Sequence, residues 1–191
     1  MIRIAVLGDI GSGKSHIAKQ FGYPVFNADY EVARLYKKSK KNYYKLKKKF
    51  PKYIFSFPIK KAEILNAVVA KKNNLDHINE IVHPEVRIRL NRFIIKNKKR
   101  RIIVLDIPLL MENKINKKND VIVFVDSKKK EINKRLKKKY KDNLKIIKRF
   151  EKVQLPVELK RKKSNFIIKN NFKNNNVKKN VKNVLGYFSN A

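Results

Sequence analysis

Three features of the sequence predict an α/β fold in which a mostly parallel, five-stranded sheet lies between layers of helices. Short runs rich in β-branched residues recur as IRIAVL at 2–7, IIVLDI at 102–107 and VIVFVD at 121–126. They are too evenly apolar for a sheet with one wet face, which is the pattern of parallel strands covered on both sides. Stretches with helical spacing separate them, and this alternation marks a doubly wound sheet. The third feature is a glycine-rich turn, GDIGSGKS at 8–15, directly after the first run.

The elements follow in order. The first strand covers 2–7, and a helix should follow the glycine turn, with Ile17, Ala18 and Phe21 as its apolar face and Gly22 and Pro24 as its stop. PVFN at 24–27 reads as a second strand. Ala28 to Tyr36 reads as a helix with Val32, Leu35 and Tyr36 on one side. From 37 to 80 the spacing is helical, as at Ile64, Leu65, Val68 and Val69, with interruptions at Pro51 and Pro58 and no good strand. We expect a helical insertion beside the sheet there, reaching to about residue 97. His83-Pro84 should begin a further helix whose Val86, Leu90, Phe93 and Ile94 share a face. The strands at 102–107 and 121–126 should each lead into a helical stretch, NFIIK at 165–169 is the fifth strand, and 177–188 closes the chain as a helix. A chain of 191 residues, 42% hydrophobic, supports one sizeable core and thus one domain.

The formal charge of +35 is the electrostatic footprint of a nucleic-acid-binding protein. The excess, however, is almost all Lys, accompanied by abundant Asn, Ile, Phe and Tyr, the composition toward which an AT-biased genome drifts. The Lys runs at 37–49, 128–141 and 160–163 are scattered, and none of the familiar nucleic-acid-binding motifs is present. We therefore expect no specific nucleic acid as partner; a phosphate-rich small substrate would profit from the same field. The lack of cysteine excludes disulfides and thiolate metal sites. The longest apolar run, 102–111, is broken by Asp106 and Pro108 and falls short of the roughly 20 residues of a membrane span. Only four apolar residues stand between Arg3 and Gly8, too few for a secretory signal. The expectation is a soluble cytoplasmic protein, a monomer in the simplest case.

Gly8, Gly13, Lys14 and Ser15 fill the fixed positions of G-x-x-x-x-G-K-[ST], with a strand before and a helix after. This makes the fold a three-layer sandwich of the P-loop NTPase type. The glycines, Gly11 among them, let the backbone of Asp9, Ile10 and Ser12 turn so that N–H groups point at phosphate oxygens. Lys14 would reach the β- and γ-phosphates of ATP and Ser15 would offer its hydroxyl to Mg2+. His16 faces solvent or adenine. A guanine-specific N-K-x-D signature is lacking: NKKND at 116–120 is one residue too long and precedes a strand.

A phosphoryl acceptor needs a carboxylate to take its proton. Asp29, after the second strand, is the candidate; the competing reading is a charge at a helix N-terminus worth ~0.5 kcal/mol. Asp106 ends the third strand, either as a Walker-B type ligand to an Mg2+-bound water or as a helix cap.

Several stretches together resemble dephospho-CoA kinases: GDIGSGKS, NADYEVAR at 27–34, IVHPEVR at 81–87, DIPLLME at 106–112, VQLP at 153–156 and NFIIKNN at 165–171. They fall in that family's order and spacing over nearly the whole chain. The resemblance implies transfer of a phosphoryl group from ATP to the ribose 3′-hydroxyl of dephospho-CoA. It implies Asp29 as base, Lys14 on the moving phosphate, and His83, Arg34 and Arg87 at the dephospho-CoA site, to which Asp106 also belongs. It further implies a lid at about 135–150 and Asn170 near adenine. Three positions depart from the family. Asn27 stands where an Asp is usual, Lys169 where Asp is common, and Lys139 where the lid presents an Arg; Arg135 and Lys139 are held jointly as lid cations. Another small-molecule or nucleotide kinase, or an ATP-regulated nucleic-acid-binding protein, stays open.

Overall fold

The computed structural model describes residues 1–140 and 143–189. Five strands, β1 (Ile2–Gly8), β2 (Val25–Asn27), β3 (Ile102–Asp106), β4 (Val121–Asp126) and β5 (Phe166–Lys169), pair in the order β2-β3-β1-β4-β5, and every neighbouring pair is parallel. The central β1 therefore has β3 on one side and β4 on the other. That arrangement opens a crevice at the carboxyl ends of the strands, where ligands of open α/β sheets bind.

The pleat explains why the strands read as evenly apolar. Alternate residues point to opposite faces, and both faces are covered. Ile4, Val6, Val104, Val123 and Val125 meet Ile17, Ala18 and Phe21 of α1 (Lys14–Gln20, continuing to Phe21 as its cap) and Val177, Val181 and Val184 of α9 (Asn174–Ser189). Ala5, Leu7, Ile103, Leu105 and Phe124 meet the other layer. That layer comprises α2 (Ala28–Lys38), α3 (Lys40–Lys49), α4 (Lys61–Ala70) and α5 (Asn74–Lys96), which supply Leu35, Leu46, Val68 and Val82 among others. The remaining helices are α6 (Lys129–Tyr140), α7 (Leu144–Lys152) and α8 (Val157–Lys162). No helix among the described residues is long and apolar enough to cross a membrane.

Two expectations are corrected. No helix starts at His83-Pro84; α5 already begins at Asn74 and carries Pro84 inside it. Ile78, Val82, Val86 and Leu90 form an unbroken buried row through the proline. Burying each is worth about 1.5–3 kcal/mol, against roughly 3 kcal/mol for an internal proline, so packing outweighs the missing hydrogen bond. Nor does β3 lead into a helix: the chain passes into turns, with Leu109 and Lys114 at φ 58° and 52°. A left-handed backbone at such residues ends a right-handed helix. Of the stretch expected to form a lid, Lys141 and Asp142 lie outside the described residues.

Candidate active site

The glycine turn connects β1 to α1 with Gly8, Gly11 and Gly13 all at positive φ, the last at 93° as the helix cap. Space as well as backbone demands glycine at Gly13, where a Cβ would stand 2.5 Å from Asn170 Nδ2. Two side chains brace the turn from behind, and one of its own anchors it. Ser127 Oγ donates to Ser12 O at 2.9 Å, Asn170 Nδ2 donates to the same carbonyl at 2.8 Å, and Ile10 packs against Ile132, Leu136 and Ile147 of α6 and α7. Lys14 folds over the turn and donates to the carbonyls of Gly8 (3.1 Å) and Asp9 (2.8 Å). Burial pushes its pKa down, opposed by the carboxylates of Asp106 and Asp29. Ser15 and His16 lie exposed at the start of α1.

Strand register brings the second half of the site alongside. Asn27 and Asp106 are cross-strand partners at the ends of β2 and β3. The Asn27 amide donates to the Asp106 carboxylate and, at 3.4 Å, to Ser15 Oγ, while its carbonyl oxygen accepts from Tyr30 N at 2.6 Å and so caps α2. An Asp at position 27 would set a second carboxylate against Asp106; the amide bonds it instead. Asp106 is 2% exposed, and burial raises its pKa despite hydrogen bonds from Ser15 and Asn27 and the charge of Lys14.

Capping by Asn27 fixes the first turn of α2 and with it Asp29, which is exposed to solvent. The charge of Asp29 acts on Lys14, on Asp106 and on the phenols of Tyr36 and Tyr140, whose pKa values rise first through burial and then through this carboxylate. Lys14, Ser15, Asp106 and Asp29 thus converge on one crevice.

His83 and Arg87, one turn apart on α5, line a cavity of about 350 Å3 together with Asp76, Asn79, Glu80 and Asn113. Burial lowers the pKa of His83, and the Arg87 guanidinium lowers it further. Arg34 is not among the lining residues. It pairs with Glu31 at 3.1 Å, and the same carboxylate takes Arg89 at 2.6 Å. On the other side of the crevice, Arg135 lies over the ring of Phe172 at 4.4 Å and Lys139 over that of Tyr140 at 5.3 Å.

One charged residue at this site escaped the sequence reading. Lys160 of α8 is 3% exposed and bonds Asp9 Oδ1 at 3.3 Å and Gln154 Oε1 at 3.1 Å. In sequence it belongs to the run KRKK, where nothing marks it off from solvated neighbours. Asn170 stands as a buried brace under Ser12.

Known proteins share both the sequence pattern and the fold. A family model described as dephospho-CoA kinase matches residues 2–176. A dephospho-CoA kinase of Wolbachia pipientis wMel is 37% identical over 174 residues, covering 86% of this chain and 87% of that one. That of the Wolbachia of Brugia malayi is 33% identical, covering 97% of both. Among solved structures, TT1252 from Thermus thermophilus superposes with a TM-score of 0.76 at 27% identity, over 97% of each chain. The dephospho-CoA kinase from Campylobacter jejuni has the same fold, with a TM-score of 0.60 at 24% identity, over 97% of this chain and 96% of that one.

Proposed function

We propose, from the premise that the chain belongs to the dephospho-CoA kinase family, how its own residues divide the work of ATP-dependent phosphorylation of dephospho-CoA in coenzyme A biosynthesis. The observation that carries the reading is the convergence of Lys14, Ser15, Asp106 and Asp29 at the carboxyl ends of β1, β2 and β3. In it the turn Gly8–Ser15 cradles the triphosphate. Lys14 leaves the carbonyls of Gly8 and Asp9 for the phosphate oxygens, and Asp29 accepts the proton of the ribose 3′-hydroxyl as its oxygen attacks in line.

Mg2+ fits the oxygen donors present. The Ser15 hydroxyl and the Asp106 carboxylate lie within one hydrogen-bond network, and a small hard cation completes such a set with phosphate oxygens and water. When bound, the ion neutralises charge on the β- and γ-phosphates.

On the acceptor side, His83 and Arg87 bind the anionic part of dephospho-CoA in the α5 cavity, and Arg34 assists from α2. Arg135 and Lys139 close over the nucleotide from the far side, Lys139 as a point charge without a planar fork. His16 borders the nucleotide at the start of α1, and Asn170 serves adenine indirectly by fixing Ser12. The residues named act within one domain, in the cytoplasm.

Incubation of the purified protein with ATP, Mg2+ and dephospho-CoA is expected to yield coenzyme A. Release of ADP should favour dephospho-CoA over a panel of nucleosides and nucleoside monophosphates. A better acceptor in that panel, or no turnover above ATP hydrolysis, overturns the reading.

The lowered pKa of His83 leaves it neutral at pH 7, and it gains its proton only below its ordinary value. A new cation facing an anionic acceptor strengthens binding, so KM for dephospho-CoA should fall as the pH drops below about 6.5. His83→Gln should flatten that trend. A KM profile shared by wild type and variant removes His83 from the acceptor site.

A further inference from the structure

The phosphate-binding turn of this chain contains a negative charge of its own. Asp9 is the second residue of GDIGSGKS, its backbone carbonyl holds Lys14, and its side chain is 17% exposed. A carboxylate there opposes the polyphosphate that the turn has to hold. From the opposite side of the turn, Lys160 places its ammonium on Asp9 Oδ1 at 3.3 Å. The two lysines bracket Asp9, Lys14 on its carbonyl and Lys160 on its carboxylate, and both border a small cavity of about 20 Å3 beside Gly8.

Stability does not explain the pair. An ammonium that is 3% exposed has given up its hydration, and a buried ion pair is often no better than apolar groups of similar volume. Nor is α8 short of other anchors. Arg161 pairs with Asp126 at 3.1 Å, and Leu155 N donates to Glu112 Oε1 at 2.9 Å just before the helix. The charge on Lys160 therefore calls for a reason at Asp9, and the polyphosphate supplies it.

We propose that Lys160 is the counter-cation that lets an aspartate stand inside the phosphate-binding turn, and that it sets the affinity for ATP by neutralising Asp9. Lys160 is a positioning residue in this role, since it acts through Asp9. The inference rests on the reading of Gly8–Ser15 as the triphosphate site. It ties nucleotide affinity to α8, which follows α6 and α7 in the chain and packs on β1.

The test is a binding titration of adenosine, AMP, ADP and a non-hydrolysable ATP analogue, without acceptor, on wild type, Lys160→Met, Lys160→Arg, Asp9→Asn and the double variant Asp9→Asn/Lys160→Met. With Asp9 uncompensated, Lys160→Met should weaken the ATP analogue by about tenfold, with the loss shrinking step by step toward adenosine. Lys160→Arg keeps the charge and should stay within about threefold of wild type. Asp9→Asn removes the opposing charge and should tighten the ATP analogue. The double variant should recover most of the loss, because nothing is left to neutralise.

A role in folding alone would lower affinity equally for all four ligands and would show in the melting temperature. Equal losses along the series, or no recovery in the double variant, overturn the proposal. If Lys160→Met does not fold, Asp9→Asn decides: weaker or unchanged binding of the ATP analogue overturns it. Wild-type protein that binds no nucleotide would sink the kinase reading too, whereas wild-type binding with an unaffected Lys160→Met sinks this inference alone.

Discussion

Replacing Asp29 with Asn is expected to lower kcat for phosphoryl transfer to dephospho-CoA by about 10²–10⁴-fold, the range of a lost general base, while ATP binds within a few-fold of wild type. The amide preserves shape but accepts no proton. Because Asn27, not Asp29, caps α2, the helix should keep its start and the variant its fold. The turn likewise keeps its shape, since Lys14 donates its hydrogen bonds to the carbonyls of Gly8 and Asp9.

The competing role for Asp29, a charge at a helix N-terminus, makes a different forecast. Its loss would cost ~0.5 kcal/mol of stability, and even if all of that reached the transition state it would change the rate by only about twofold. Single-turnover formation of coenzyme A, read beside an equilibrium titration with an ATP analogue, separates the two. A loss in the chemical step of less than about tenfold removes Asp29 as base.

How far the site could be read from the sequence depends on how local each signal is. Gly8, Gly13, Lys14 and Ser15 are spaced by the geometry of one turn, so their pattern survives without any knowledge of the rest of the chain. Strands covered on both faces announce themselves through their evenly apolar composition, which is why β1, β3 and β4 were legible to within a residue or so at either end. The place of Asp29 was legible because the residue follows the second strand, at the carboxyl edge of the sheet.

Lys160 was not legible, because its meaning depends on Asp9, 151 positions away in the chain. Arg161, its neighbour in the same basic run, points to a different carboxylate, Asp126. Only the packing of α8 on β1 tells these apart. Pro84 misled for a related reason: its local rule, helix start, is real, but the buried row from Ile78 to Leu90 outweighs it. Asn27 shows the converse. Its departure from an Asp reads as a lost charge in sequence, whereas in space it is the donor that joins Asp106, Ser15 and the start of α2.

Lys14→Met should carry a signature that few active-site substitutions share. Turnover should fall by at least about 10²–10³-fold, the usual cost of removing one preorganised donor from a developing charge, and with Asp106 and Asp29 left unbalanced it should fall further. Stability should not fall with it. Burial lowers the pKa of Lys14, so the charged side chain is less at ease in the folded chain than in the unfolded one. In the pH window between that lowered value and 10.5, the unfolded chain binds more protons, so Lys14 makes the wild type gain stability as the pH rises. Lys14→Met should lack this contribution and melt no lower than wild type at pH 7. Thermal melts of both proteins at pH 7 and in the alkaline range, set beside their turnover, test the claim. A variant that is active, or one that is inactive because it has unfolded, contradicts the assignment of Lys14 as a residue kept for the phosphate at the expense of the fold.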